Sequence, residues 1–180
     1  MKTILMILSV LVLSLSAGCA LQPASTYQVY IDPMFSDYEQ GVIRESLQDW
    51  TDKSEGIVTF NVVVGDSFGS PPPHTIWIKS SSQSAVYADG NPMAGICTQG
   101  LDDNGFIYLP MDKYEGHPET MAWFGQTVRH EVGHALGLQH DASGTIMAPG
   151  HNVASMKVTC TDVAKLAALH NIPAGFAECK

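Results

Sequence analysis

Between Ile4 and Leu15 the chain is apolar except at Ser9 and Ser14, and from Tyr27 onward the apolar positions fall into shorter, periodic groups. The first run is about 12 residues long, too few for a helix to cross a bilayer core of about 30 Å. With Lys2 ahead of it and Ser16-Ala17-Gly18 behind, it reads as the core of an export signal over residues 1–18. Small and polar residues follow, and residues 19–26 read as a short tether. Tyr27-Gln28-Val29-Tyr30-Ile31 alternates and is rich in aromatic and β-branched types, which predicts a strand closed by Asp32-Pro33. Ser36 with Glu39 three residues on has the form of a capping box. Tyr38, Val42, Ile43, Leu47 and Trp50 then recur at helical spacing, so a helix is expected to about Lys53.

Two β-rich runs come next, Ile57 to Val64 and Thr75 to Lys79, separated by Gly65-Asp66 and the Pro71-Pro72-Pro73 break. They are expected to pair in one sheet. The stretch from Ser80 to Asp103 is richer in Ser, Gly, Asn and Asp; it predicts a short strand at Met93 to Thr98 and a turn at Asp102-Asp103-Asn104-Gly105. Phe106 to Leu109 is the last expected strand. From Glu119, Met121, Phe124, Val128, Val132 and Leu136 share one helical face, and Gly137 is placed to stop that helix. A small helix from Asp162 to His170, capped by Thr161 and burying Val163, Leu166 and Leu169, precedes the breaker Pro173. This order of elements predicts an α+β or α/β sheet with one crossover helix, in a single domain over residues 27–180.

Composition supports a folded domain: of 180 residues, 45% are apolar and 15% charged, which suits a packed core and not a disordered chain. The formal net charge is −9; without residues 1–18, whose sole charge is Lys2, 8 basic face 18 acidic residues and it is −10. Phosphate binding needs a basic patch, so nucleic acid is excluded as a partner.

Cys19 ends the small-residue stretch, and Ser16-Ala17-Gly18-Cys19 resembles a bacterial lipobox, although Ser16 stands where Leu is usual. That resemblance implies acylation of Cys19 and a membrane-anchored lipoprotein at the cell envelope. Ala20 after it suits outer-membrane sorting in a host with two membranes. The alternative is ordinary cleavage near Ala17 to Ala20 and a soluble secreted protein. Export permits disulfides among Cys97, Cys160 and Cys179. Cys160 with Cys179 is favoured because they flank the last helix, and pairing of Cys97 with either stays open, since geometry decides.

The chemistry lies on the long helix. His130-Glu131-Val132-Gly133-His134 places two imidazoles at i and i+4 on one face, able to reach one ion. Ala135-Leu136-Gly137-Leu138-Gln139-His140 follows, and a left-handed Gly137 can end the helix and return a third imidazole to the same ion. Three neutral nitrogen ligands leave a coordination position open, as a catalytic Zn2+ requires. Glu131 is then the carboxylate that takes the water proton. Five such fixed positions match by chance in a chain of this length with a probability on the order of 10⁻⁵, so coincidence is a poor rival.

His130-Glu131-x-x-His134-x-x-Gly137-x-x-His140 resembles the zinc signature of the metzincin metalloproteases. Gly144-Thr145-Ile146-Met147 resembles the clan's Met-turn, with Met147 beneath the metal. Gly133 and Met147-Ala148-Pro149 are similar to matrixins, whereas Asp141 is as in adamalysins and Ala148 replaces the common Tyr. The resemblance implies a metzincin-like α+β fold: a twisted mixed sheet, a crossover helix, an active-site helix and a small C-terminal subdomain with one helix. The cleft would lie between about residues 27–139 and 140–180. It implies one catalytic Zn2+, a protein or peptide substrate and a monomer, with the edge strand at Met93 to Thr98 binding the extended peptide. The matrixin structural zinc and calcium sites do not carry over, because their His and Asp pattern is missing before the helix, and structural calcium is left undetermined. No Pro-Arg-Cys-Gly switch is present. Cys97 reads as a buried or disulfide-bonded residue. His74, His117, His151 and His170 read as surface or structural, with a substrate-pocket position as the alternative for His151.

Three functions fit these residues: an exported zinc endopeptidase, a surface metal-binding lipoprotein without turnover, and a zinc amidase acting on cell-wall peptide or small amides. An intact Glu131 favours the first over the second. A long open groove would favour it over the third.

Overall fold

In a computed structural model of the chain, residues 25–66, 72–81, 95–99, 104–110, 118–150 and 154–172 are described. The export signal, Cys19, Met93, His117, His151 and Cys179 lie outside them.

Strand β1 (Ser25–Ile31) leads into helix α1 (Asp37–Lys53) and parallel strand β2 (Val58–Val64). Parallel neighbours need a crossover, and α1 supplies it. The predicted capping box is present: Ser36 N–H donates to Glu39 Oε2 at 2.7 Å, and Glu39 N–H donates to Ser36 Oγ at 3.3 Å. Strands β3 (Thr75–Ser81), β4 (Ile96–Gln99) and β5 (Gly105–Pro110) complete a five-stranded sheet of order β2-β1-β3-β5-β4, antiparallel only at β4. Helices α2 (Pro118–Ala135) and α3 (Cys160–Leu169) follow. No helix among the described residues is long and apolar enough to cross a membrane.

The core lies between one face of the sheet and α1 and α2. Val29, Ile31, Ile76, Ile78, Ile107 and Leu109 meet Ile43, Leu47, Trp50, Phe124, Val128 and Val132, all buried. Burial of these side chains is the main stabilising term, at about 25 cal/mol per Å² of apolar surface. Trp50 Nε1–H donates to the Arg129 carbonyl at 3.0 Å, which joins the helices just ahead of His130.

Several expectations need correction. The runs at Ile57 to Val64 and Thr75 to Lys79 share the sheet without pairing, because β1 stands between them. Buried β1 satisfies its backbone groups on both edges, β2 on one and β3 on the other. The tether expected over 19–26 ends earlier, since Ser25 and Thr26 already pair with Val58 and Thr59. The strand expected at Met93 to Thr98 is β4, Ile96–Gln99, among the described residues. The last helix is capped by Thr159 instead of Thr161: Thr159 and Asp162 form a reciprocal capping box, with Asp162 fully buried. Tyr38 and Leu169, placed on buried faces by periodicity, are exposed, each near a helix end where the stripe leaves the core.

Candidate active site

Helix α2 carries the first two histidines, and its ending delivers the third. Gly137 has φ +95°; Leu138 N–H donates to the Gly133 carbonyl and Gly137 N–H to the His134 carbonyl, each at 2.9 Å. These two bonds form a Schellman motif, whose left-handed residue is cheap only for glycine. The chain reverses there, and His140 comes back over the helix.

His130 Nε2 lies 3.1 Å from His134 Nε2 and 3.3 Å from His140 Nε2. The ligand atoms of the three residues all lie within 4.8 Å of one another. The opposite nitrogens fix the tautomers. His130 Nδ1 is 2.8 Å from the Ile146 carbonyl and His134 Nδ1 is 2.8 Å from the Leu138 carbonyl. A carbonyl only accepts, so both Nδ1 atoms carry the proton and both Nε2 atoms of the neutral rings present lone pairs. Facing lone pairs about 3 Å apart repel unless a cation stands between them, so the cluster fits a metal ion. Burial, first, and then the charge of His140 push His134 below its ordinary pKa, against the Leu138 hydrogen bond, so the metal-binding form is favoured.

Glu131 is buried, at 7% exposure, and is not among the converging ligands. Burial pushes its carboxyl up to about 7, opposed by a hydrogen bond from the Cys97 backbone N–H. That bond was not foreseen, because it comes from the backbone of β4. The Cys97 side chain is a free thiol, half-buried, pushed up to about 12 by burial and by the Glu131 charge. Of the two readings left open for Cys97, buried or disulfide-bonded, the structure excludes the disulfide. The pairing of Cys160 with Cys179 involves a residue outside the described set.

Met147 is buried at 1% and packs against the helix where there is no side chain: a Cβ on Gly133 would run into Met147 Sδ and stand 3.1 Å from Trp50 Cζ2. Asp162 holds the turn from the other side, its Oδ2 accepting from Ile146 N–H at 3.1 Å, Thr159 N–H at 2.8 Å and Thr159 Oγ at 2.6 Å. Its Oδ1 is buried without a partner. The Ile146 residue is thus gripped at both ends, N–H by Asp162 and carbonyl by His130. Gln126 braces the same loop, its Nε2 donating to the Ala154 and Ser155 carbonyls at 3.2 Å, while Arg129 ties α2 to α1, pairing with Asp49 at 2.7 Å and Glu45 at 3.3 Å. Asp162, Gln126 and Arg129 were not singled out by sequence; the Thr159-x-x-Asp162 spacing was the available signal for the first.

Of the other histidines, His170 Nδ1 lies 3.3 Å from Ser25 Oγ and His74 packs edge-on against Tyr27 at 5.2 Å. Neither approaches the cluster as a ligand.

The matrixin family model, that of the M10 peptidases, matches residues 24–171. Among solved structures, the chain is similar to archaemetzincin from Methanopyrus kandleri, with a TM-score of 0.58 at 12% identity over 85% of this chain and 99% of that one. It is also similar to high choriolytic enzyme 1, a hatching-enzyme zinc protease from Oryzias latipes (TM-score 0.51, 14% identity, 84% and 92% covered). A zinc-dependent peptidase from Methanocorpusculum labreanum gives a TM-score of 0.50 at 12% identity, with 78% and 99% covered. At such identities these likenesses show the fold, a metzincin-like one. Comparison with curated protein sequences finds no match. The family match spans most of the chain, and the motif it rests on is assembled in three dimensions on α2 and the turn after it: the chain belongs to the matrixins and is a zinc metallopeptidase.

Proposed function

We propose that this chain is an exported, lipid-anchored monomeric endopeptidase that cleaves protein or peptide chains with Glu131 as its general base. The observation that carries the base assignment is the position of Glu131, one residue from His130, buried, outside the ligand set and held by the Cys97 N–H.

His130, His134 and His140 would hold the Zn2+, which when bound would supply Lewis acidity for the scissile carbonyl and lower the pKa of a water to about 7. The Glu131 carboxylate takes the proton of the attacking water and delivers it to the departing amine nitrogen, so one group serves as base and then as acid. Strand β4 is a sheet edge beside Glu131, and an extended peptide adding to it would hydrogen-bond along its main chain. Such strand addition, at the sheet edge formed among the described residues, suits a polypeptide better than a small amide and favours this reading over a small-amide hydrolase. Export and anchoring rest on residues 1–18 and Cys19, and an oxidising compartment suits a Cys160–Cys179 disulfide.

The test compares the purified protein with its Glu131→Ala variant for zinc content and cleavage of casein. Both should hold one zinc, and the variant should lose about 10²- to 10⁴-fold in rate. An active variant would remove Glu131 from the mechanism, and zinc without cleavage of casein by the parent would leave a narrow amidase or a binding lipoprotein. Labelled fatty acid incorporated by the parent and not by Cys19→Ala checks the anchor.

A further inference from the structure

The three metal ligands are unequally held. His130 and His134 are each fixed by an Nδ1–H bond to a backbone carbonyl, of Ile146 and Leu138. His140 is exposed, and its Nδ1 has no hydrogen-bond partner among the described residues. It also lies beyond the end of α2, so no helical bonds fix its backbone. What orders it is its successor. Asp141 N–H donates to the Met147 carbonyl at 2.8 Å, and the Asp141 carboxylate accepts from the Ala142 N–H and from Lys165 Nζ. Lys165 stands on α3, three residues after Asp162, the carboxylate that grips the Met-turn. One helix therefore reaches both the turn beneath the first ligand and the segment bearing the third.

We propose that the Asp141–Lys165 ion pair is a positioning clamp for His140, and that it sets how long the protein retains its zinc. The inference rests on the zinc-peptidase reading. Lys165 touches neither metal nor substrate; it acts through Asp141. Groups one step removed from a metal ligand change metal affinity by about 10- to 100-fold when removed, and this pair is one step further out, so the lower end applies. With side-chain exposures of 47% for Lys165 and 17% for Asp141, the pair is partly solvated and open to screening by salt.

The experiment measures transfer of zinc from the loaded protein to a chromogenic chelator for the parent, Lys165→Met and Lys165→Arg. Release should be about tenfold faster from Lys165→Met and parent-like from Lys165→Arg. Raising the salt concentration should quicken release from the parent and leave Lys165→Met unchanged. Turnover per loaded protein should be equal in all three, and so should the melting temperatures of the zinc-free proteins. Equal release rates for parent and Lys165→Met would overturn the clamp. A faster release accompanied by a matching fall in zinc-free melting temperature would also overturn it, by showing a general packing role. A parent that binds no zinc would sink the peptidase reading itself, an outcome separate from either.

Discussion

The proton on His130 is placed by a carbonyl sixteen residues away, and that single bond decides what the imidazole can do. Because the Ile146 oxygen takes the Nδ1–H, the Nε2 lone pair is left for a metal, and Leu138 does the same for His134. Gly133 matters for a steric reason, since the Met147 thioether occupies the space of its missing side chain. Gly133→Ala should therefore cost about 1–3 kcal/mol by overpacking. At 2–4 °C per kcal/mol for a chain of this size, thermal unfolding should show a fall of roughly 2–12 °C; an unchanged midpoint would contradict the close approach. Glu131 gives a pH-dependent prediction for the zinc-free protein. Its carboxyl is raised from 4.5 to about 7 in the fold, so between those values the folded state keeps a proton that the unfolded chain has lost. Stability should fall as pH rises through that window and level off above it, by about 3 kcal/mol from this group. Urea unfolding in excess chelator should show Glu131→Gln equal to the parent near pH 4 and about 3 kcal/mol more stable at pH 8. A pH-independent difference would show that burial is not what raises the group.

At the scale of elements, the ends of the helices do more for the site than their middles. The Schellman turn at Gly137 aims His140, and the capping box of α3 doubles as the anchor of the Met-turn through Asp162. Asp162→Ala would leave the buried Ile146 N–H and the half-buried Thr159 N–H unpaired. It should cost about 3 kcal/mol and weaken zinc retention together, read by urea unfolding and zinc content; a loss of stability with zinc fully retained would separate the cap from the site. Both helix ends were partly legible. Gly137 reads as the stop from its place after the apolar stripe, whereas periodicity puts the cap of α3 two residues late because Thr161 also precedes an apolar run. The Thr159-x-x-Asp162 spacing distinguishes the two threonines, since Thr161 has Ala164 in that place, and capping from Thr159 puts Asp162 inside, against the turn it serves.

Over the whole molecule, the zinc site joins parts that the backbone alone holds loosely. Helix α2 is sealed into the core, while the loop carrying His140 and Met147 is tied by Asp162 from α3 and by Gln126 from α2. An ion bound by ligands on both should stabilise the fold by mass action, about 1.4 kcal/mol for each tenfold rise in free zinc above the dissociation constant. The melting temperature should then climb roughly 3–6 °C per decade of free zinc. Glu131→Ala should keep that dependence and His140→Ala should lose most of it; a midpoint insensitive to zinc in the parent would mean that the ion does not bridge helix and loop.

Read alone, the chain already shows the three metal ligands, the carboxylate proposed as base and the order of strands and helices. Those depend on periodicity, caps and spacing within about ten residues, the range over which local geometry is set by the chain. Packing of the whole chain settles that β1 separates β2 from β3, that Thr159 caps α3, that the Cys97 N–H holds Glu131, and that Asp162 and Lys165 reach the site. Each of these joins residues whose separation is not written in any local pattern, or depends on which side of a helix is buried. Strand order, burial and long-range hydrogen bonds are settled by competition for the core and for backbone partners, and that competition is resolved only when the whole chain packs.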